Sequence, residues 1–135
     1  MPDSGSGPSP FGTWNGVDGF EIHDGVRLHA VGGEQVLLCR VSYAPGKQVA
    51  WHAHEHTEQV MYILEGEVEI TVEDETTTLG PGDVGVVNRG LNHKLYSAGG
   101  VTFMEALAPV PLDHVPDRQR DLVLGPDGGA THVEK

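Results

Sequence analysis

Residues 46–73 read GKQVAWHAHEHTEQVMYILEGEVEITVE, and the pattern of this stretch decides the fold. Its last seven residues, Glu67 to Glu73, alternate without a break. Val68, Ile70 and Val72 fall on one side; Glu67, Glu69, Thr71 and Glu73 fall on the other. Successive side chains of an extended chain point to opposite faces, so this is a strand with one wet face. Gly66 breaks the chain ahead of it, and the run Gln59 to Leu64 before that break is a second strand. Further back, after a strand-like stretch, stands His52-Ala53-His54. Residues two apart in an extended segment share a face, so these two imidazoles can grip one divalent metal.

The same texture continues in both directions. Gln35 to Tyr43 (QVLLCRVSY) is rich in branched residues, and Ala44-Pro45-Gly46 ends it. Asp74-Glu75 makes a polar turn before Thr76 to Leu79. Gly80-Pro81-Gly82-Asp83 is a turn in which proline fixes φ and glycine takes positive φ. Val84 to Val87, His93 to Ser97 and Val101 to Leu107 are three more strands, and Asp117 to Val123 is expected to hold a short helix. Many short strands separated by Gly and Pro predict an all-β protein, an antiparallel sandwich or barrel. Nineteen glycines and nine prolines in 135 residues agree with that prediction. The expected organisation is a flexible arm over 1–12, a barrel with a short C-terminal extension over 13–124, and a flexible tail over 125–135.

Twenty acidic against eight basic side chains give a formal charge of −12. That field repels phosphate backbones and anionic membrane surfaces, so neither nucleic acid nor a membrane is an expected partner. No apolar run approaches a membrane span, and the N-terminal MPDSGSGPSP has no secretory pattern. The lone Cys39 cannot form an internal disulfide and reads as a small core residue. The expected location is cytoplasmic, and the expected partner a small-molecule substrate.

His93 lies on its own strand, HKLYS, sharing a face with Leu95 and Ser97. In a barrel that strand can neighbour the His52 segment. Three imidazoles and one oxygen donor suit Zn, Fe, Mn, Ni or Cu. On spacing alone, His52, His54 and His56 also read as surface histidines of a polar loop.

Two motifs separate these readings. Gly46, His52-Ala53-His54, Gln59 and Gly66 resemble in their spacing the first motif of the cupin superfamily. Gly82, Asn88, Gly90, His93 and Ser97 resemble its second, with Asn88 in place of the family's proline and Ser97 in place of its asparagine. The resemblance implies a cupin-type antiparallel β-barrel (a double-stranded β-helix or jelly roll) with one divalent transition metal inside. It implies His52, His54 and His93 as ligands, with the fourth at the usual glutamate position. Counting back from Gly66 puts Gln59 there, with Glu58 as the rival. A neutral amide in place of a carboxylate leaves the metal more positive by one unit, which favours Lewis-acid chemistry over redox chemistry.

Around that centre, Val101, Phe103, Glu105 and Leu107 share one face of the last strand; Thr102, Met104 and Ala106 share the other. If the first set faces inward, Glu105 is a candidate catalytic acid or base in an apolar cup. Trp51, Met61, Ile63, Phe103 and Met104 are candidate pocket residues, although most such residues in a barrel are simply core. The three-histidine, one-glutamine set resembles two groups of small cupins. One is the KdgF-like group, which helps convert unsaturated uronates to linear ketonic sugars; the other is the polyketide-synthesis-associated cupins. The KdgF-like pattern D-x-F-x-P-x-R falls on Glu105 to Pro111, where Leu107 replaces the aromatic residue and Pro111 the arginine, so no uronate clamp is expected. The expected function is a metal-dependent isomerase, lyase or cyclase acting on a small carbonyl or enol compound. An Fe or Ni dioxygenase and a non-catalytic metabolite-binding cupin are the alternatives. Because a small barrel leaves sheet edges open, and the Gln35–Tyr43 strand is long and apolar, a homodimer is expected.

Overall fold

The computed structural model describes residues 11–16 and 19–110. The expected helix over 117–123, the tail and all but the end of the expected arm lie outside the described residues. Ten strands follow a short 3-10 turn at Trp14–Gly16: β1 (Gly19–His23), β2 (Val26–Gly32), β3 (Leu37–Tyr43), β4 (Lys47–His52), β5 (Glu58–Gly66), β6 (Val68–Val72), β7 (Glu75–Leu79), β8 (Val84–Val87), β9 (His93–Ser97) and β10 (Val101–Ala108).

They form two antiparallel sheets. The larger runs β1-β2-β3-β10-β5-β8 and the smaller β4-β9-β6-β7, so the architecture is the expected cupin-type jelly roll. Alternation fixes which face each strand buries. In β3 the buried residues are Leu37, Cys39, Val41 and Tyr43, and in β10 they are Val101, Phe103, Glu105 and Leu107. These inner faces meet Val49, Val68, Ile70 and Leu95 of the smaller sheet. Each large side chain so buried contributes about 1.5–3 kcal/mol, which fixes the register, since a one-residue slip would turn the apolar set outward.

Gly66 ends β5 at φ +80°, and a Cβ there would overlap the carbonyl oxygen of Gly100. Both facts demand glycine where the chain leaves the larger sheet for the smaller one.

Sequence and structure differ in two respects. The strands β1 and β2 were not delimited by the pattern, although Val26, Leu28 and Ala30 alternate inward with Arg27 and His29. The long apolar strand expected to leave an open edge is shorter, Leu37–Tyr43, and lies inside the sheet, paired with β2 on one side and β10 on the other. The edges are β1 and β8 in the larger sheet and β4 and β7 in the smaller.

Candidate metal centre

The register of the smaller sheet sets His52 directly opposite His93 across β4 and β9. Their ring centroids are 4.1 Å apart. His54, two residues further along, brings its centroid to 5.2 Å from His52 and 5.5 Å from His93. One nitrogen from each of the three rings lies within 4.8 Å of the other two. All three side chains are buried.

Hydrogen bonds orient two of the rings. Nδ1 of His52 lies 2.7 Å from the carbonyl oxygen of Ala50, and Nδ1 of His93 lies 3.0 Å from that of Leu91. A carbonyl only accepts, so each Nδ1 donates, and the lone pair of each ring is left on Nε2. Nε2 of His93 is buried without a hydrogen-bond partner. Burial pushes the His93 pKa below its usual value, only partly opposed by the bond to Leu91, so the ring favours the neutral form that a metal needs.

The larger sheet closes the site from the other side. In the pairing of β5 with β10, Gln59 is opposite Leu107 and Met61 is opposite Glu105. Gln59 and Glu105 are therefore diagonal neighbours on the inner face. Nε2 of Gln59 donates to Oε1 of Glu105 at 2.7 Å, and Oε1 of Gln59 is buried with no partner. Burial raises the Glu105 carboxyl from its ordinary 4.5 to about 7, against the opposing pull of the Gln59 amide. The neighbouring Cys39 thiol and Tyr43 phenol are pushed up by burial and then by the charge of Glu105, so both stay protonated.

His52, His54, Gln59 and Glu105 open into one cup, walled by apolar residues that include Val41 and Phe103. The space inside it is about 20 Å³, room for an ion or a single water. A wider groove runs beside β7 and β8, but Glu73, Asp74 and Glu75 are its ionisable residues and no histidine lines it.

The residues fit a divalent metal. Three converging imidazoles and a buried amide oxygen, two of whose acceptor atoms have no partner in the protein, form the N and O donor set such an ion takes. Glu58 is exposed on the outer face of β5 and points away from this cluster.

Other candidates divide between core and surface. Phe103 lines the cup, whereas Met61 and Ile63 are fully buried core. Trp51 is 46% exposed outside the barrel, with Lys94 Nζ 5.0 Å from its ring centroid. Met104 is on the outer face of β10, and His56 is exposed beside Glu55. Two supporting contacts escaped the sequence reading. Thr57 donates to the Pro109 carbonyl at 2.8 Å, and Ser97 donates to the Glu67 carbonyl at 2.6 Å. Ile22 of β1 also reaches the cup, from a strand the pattern did not delimit.

Comparison with known proteins accords with this geometry. Residues 39–107 match the family model described as "Cupin domain". The chain is 30% identical over 92 residues to the tetracenomycin polyketide synthase protein TcmJ of Streptomyces glaucescens, a match covering 64% of this chain and 62% of that protein. It thus spans less than two thirds of that relative's length. Among solved structures, an RmlC-like cupin from Shewanella frigidimarina superposes with a TM-score of 0.74 at 22% identity, covering 80% of this chain and 97% of that one. KdgF from Halomonas sp. gives 0.73 at 21% identity, covering 78% and 98%. With its family match spanning both histidine motifs and its fold shared by these structures, the chain is a member of the cupin superfamily.

Proposed function

We propose that the chain is a metal-dependent enzyme that moves a proton on a small carbonyl or enol compound, as an isomerase, lyase or cyclase. The observation that carries this reading is a buried carboxylate, Glu105, in a cup lined by His52 and His54, two of the three converging imidazoles. His52, His54, His93 and Gln59 would hold the metal. Such an ion supplies Lewis acidity toward a carbonyl or enol oxygen when bound. Glu105 keeps one carboxylate oxygen on the Gln59 amide, and the other is left to take or return a proton. The apolar wall around Phe103 excludes water from that exchange. Similarity to a protein named for tetracenomycin polyketide synthase supports a substrate rich in carbonyl groups, of the polyketide kind.

The test is deuterium exchange. Metal-loaded protein is incubated in D2O with a panel of β-dicarbonyl compounds and followed by proton NMR, with dissolved oxygen recorded in parallel. Exchange at the carbon between the carbonyls, without oxygen uptake, is the expected result. Oxygen consumption in step with turnover would replace this reading with a dioxygenase, and tight binding without exchange would replace it with a metabolite-binding role.

The same proposal includes a homodimer, now through a sheet face rather than the β3 edge. Leu38, Val60, Tyr62, Leu64, Val84 and Val86 are exposed on the outer face of the larger sheet. The register joins five of them in rows, Leu38–Ala106–Val60–Val86 and Arg40–Met104–Tyr62–Val84, and Leu64 follows Tyr62 on β5. Six partly exposed large side chains leave on the order of 500 Å² of apolar surface on one face, the scale at which a patch marks an interface. Within the rows the charged residue is Arg40, in a chain of net charge −12, so two copies meet there with the least repulsion.

A further inference from the structure

We infer that Glu105 is a positioning residue for the metal. Its carboxylate sets the orientation of the Gln59 amide and supplies, one hydrogen bond away, the negative charge that an amide ligand lacks. This rests on the metal reading above and adds to Glu105 a role independent of proton transfer.

The two ends of a glutamine side chain are nearly identical in shape and opposite in chemistry. Only the oxygen end can face a cation; the NH2 end would repel it. In an apolar cup an unguided amide has no reason to prefer one orientation. Here Nε2 is bonded to Glu105 Oε1 at 2.7 Å, the length of a charge-assisted bond, and a carboxylate can only accept. That fixes the NH2 end on Glu105. Oε1 is left buried and without a partner, on a side chain that lines the same cup as His52 and His54. Donation from Nε2 also polarises the amide, making its oxygen a stronger donor to a metal.

Three neutral imidazoles and one amide leave the two positive charges of a divalent ion uncompensated by any ligand. Glu105 is the acidic side chain on the wall of the cup, and the Gln59 amide connects it to the ligand set. The site keeps a carboxylate, on β10 at the position diagonal to Gln59.

The test measures Zn2+ affinity of the full chain, freed of metal by dialysis, in competition with a chromophoric chelator. Glu105→Gln keeps the shape and an acceptor but removes the charge and lets both amides turn. Loss of such a supporting partner loosens a metal about 10–100-fold, which is the expected result. The exchanged pair, Gln59→Glu with Glu105→Gln, restores one amide, one carboxylate and the hydrogen bond between them. It is expected to bind Zn2+ within about 3-fold of wild type, or more tightly, because the two sites are coupled. A merely structural role for Glu105 would show no such rescue. If Glu105→Gln fails to fold, the exchanged pair decides alone. Affinity of Glu105→Gln within 2-fold of wild type, or an exchanged pair no tighter than the single variant, overturns the inference. In those cases loss of Zn2+ in His52→Ala/His93→Ala still leaves the metal reading standing, whereas wild-type protein that binds no Zn2+ overturns both.

Discussion

Metal-free protein is expected to lose stability as the pH rises through the range in which Glu105 ionises. In the fold its carboxyl titrates at about 7, whereas its ordinary value is 4.5. Between these values the folded chain holds a proton that the unfolded chain has released. The contribution is therefore complete below about 4.5 and is lost as the pH rises through about 7. At 1.36 kcal/mol per unit the difference is worth roughly 3 kcal/mol. In a barrel of this size that is on the order of 10 °C in melting temperature. His93 runs the opposite way: burial lowers its pKa, so its contribution is lost as the pH falls. Comparison with Glu105→Gln isolates the carboxyl, because His93 is common to both proteins. Urea unfolding of the two metal-free proteins between pH 5 and pH 8 is the assay. Wild type should fall relative to the variant by roughly 2–3 kcal/mol across that window, part of the difference being already lost at pH 5. Parallel curves for the two would refute the burial argument for Glu105.

Further outcomes follow from the site and the frame. His52→Ala/His93→Ala should abolish binding of one divalent metal per chain, measured by elemental analysis after dialysis; unchanged content would remove these residues from the site. Gln59→Ala should weaken Zn2+ far more than Glu58→Ala, since Gln59 is buried and Glu58 is exposed on the opposite face; calorimetry reads the ranking, and its reverse would refute the fourth-ligand choice. Gly66→Ala should cost about 3 kcal/mol or more in equilibrium unfolding, from positive φ together with the overlap on the Gly100 carbonyl. Tyr62→Glu in the apolar rows should give a monomer by light scattering at micromolar concentration while wild type gives a dimer; monomeric wild type would overturn the proposed face.

Legibility in the sequence tracked how many physical constraints acted on each segment. The strands β8 and β9 were bounded correctly because turn residues flank both ends, and in β9 period-2 alternation fills the middle. The inward set of β10, with Glu105 among it, was one of two faces that alternation offered equally; packing against β3 and β5 decided between them. The strands β1 and β2 were missed. The strand β2 carries the same alternation as β6, with Arg27 and His29 between inward Val26, Leu28 and Ala30, so its signal was present and its pairing with β3 makes it plain. The outer apolar rows were hidden because a strand apolar on both faces reads the same whether its second face meets protein or water. Val60, Tyr62 and Leu64 gave Gln59–Leu64 its continuous apolar run, and that run marks surface as much as core.

The site shows where residue-by-residue reading of a motif stops. Spacing placed Gln59 where the family carries glutamate, and one charge was subtracted from the metal's surroundings on that ground. The subtraction is valid for the atom that would touch the metal and incomplete for the field around it. A field is a sum over neighbours in space, and Glu105, 46 residues away in the chain, is 2.7 Å from the Gln59 amide. Only the β5–β10 register makes them neighbours. An amide donates less electron density than a carboxylate would, so the ion would keep its Lewis acidity toward an incoming oxygen. The carboxylate one bond further out would balance the charge and, as proposed, keep an oxygen with which to exchange a proton. On the proposed reading, splitting ligand and base between two adjacent strands would let one side chain donate to the metal and the other react, whereas a single glutamate on β5 could do only one of these at a time.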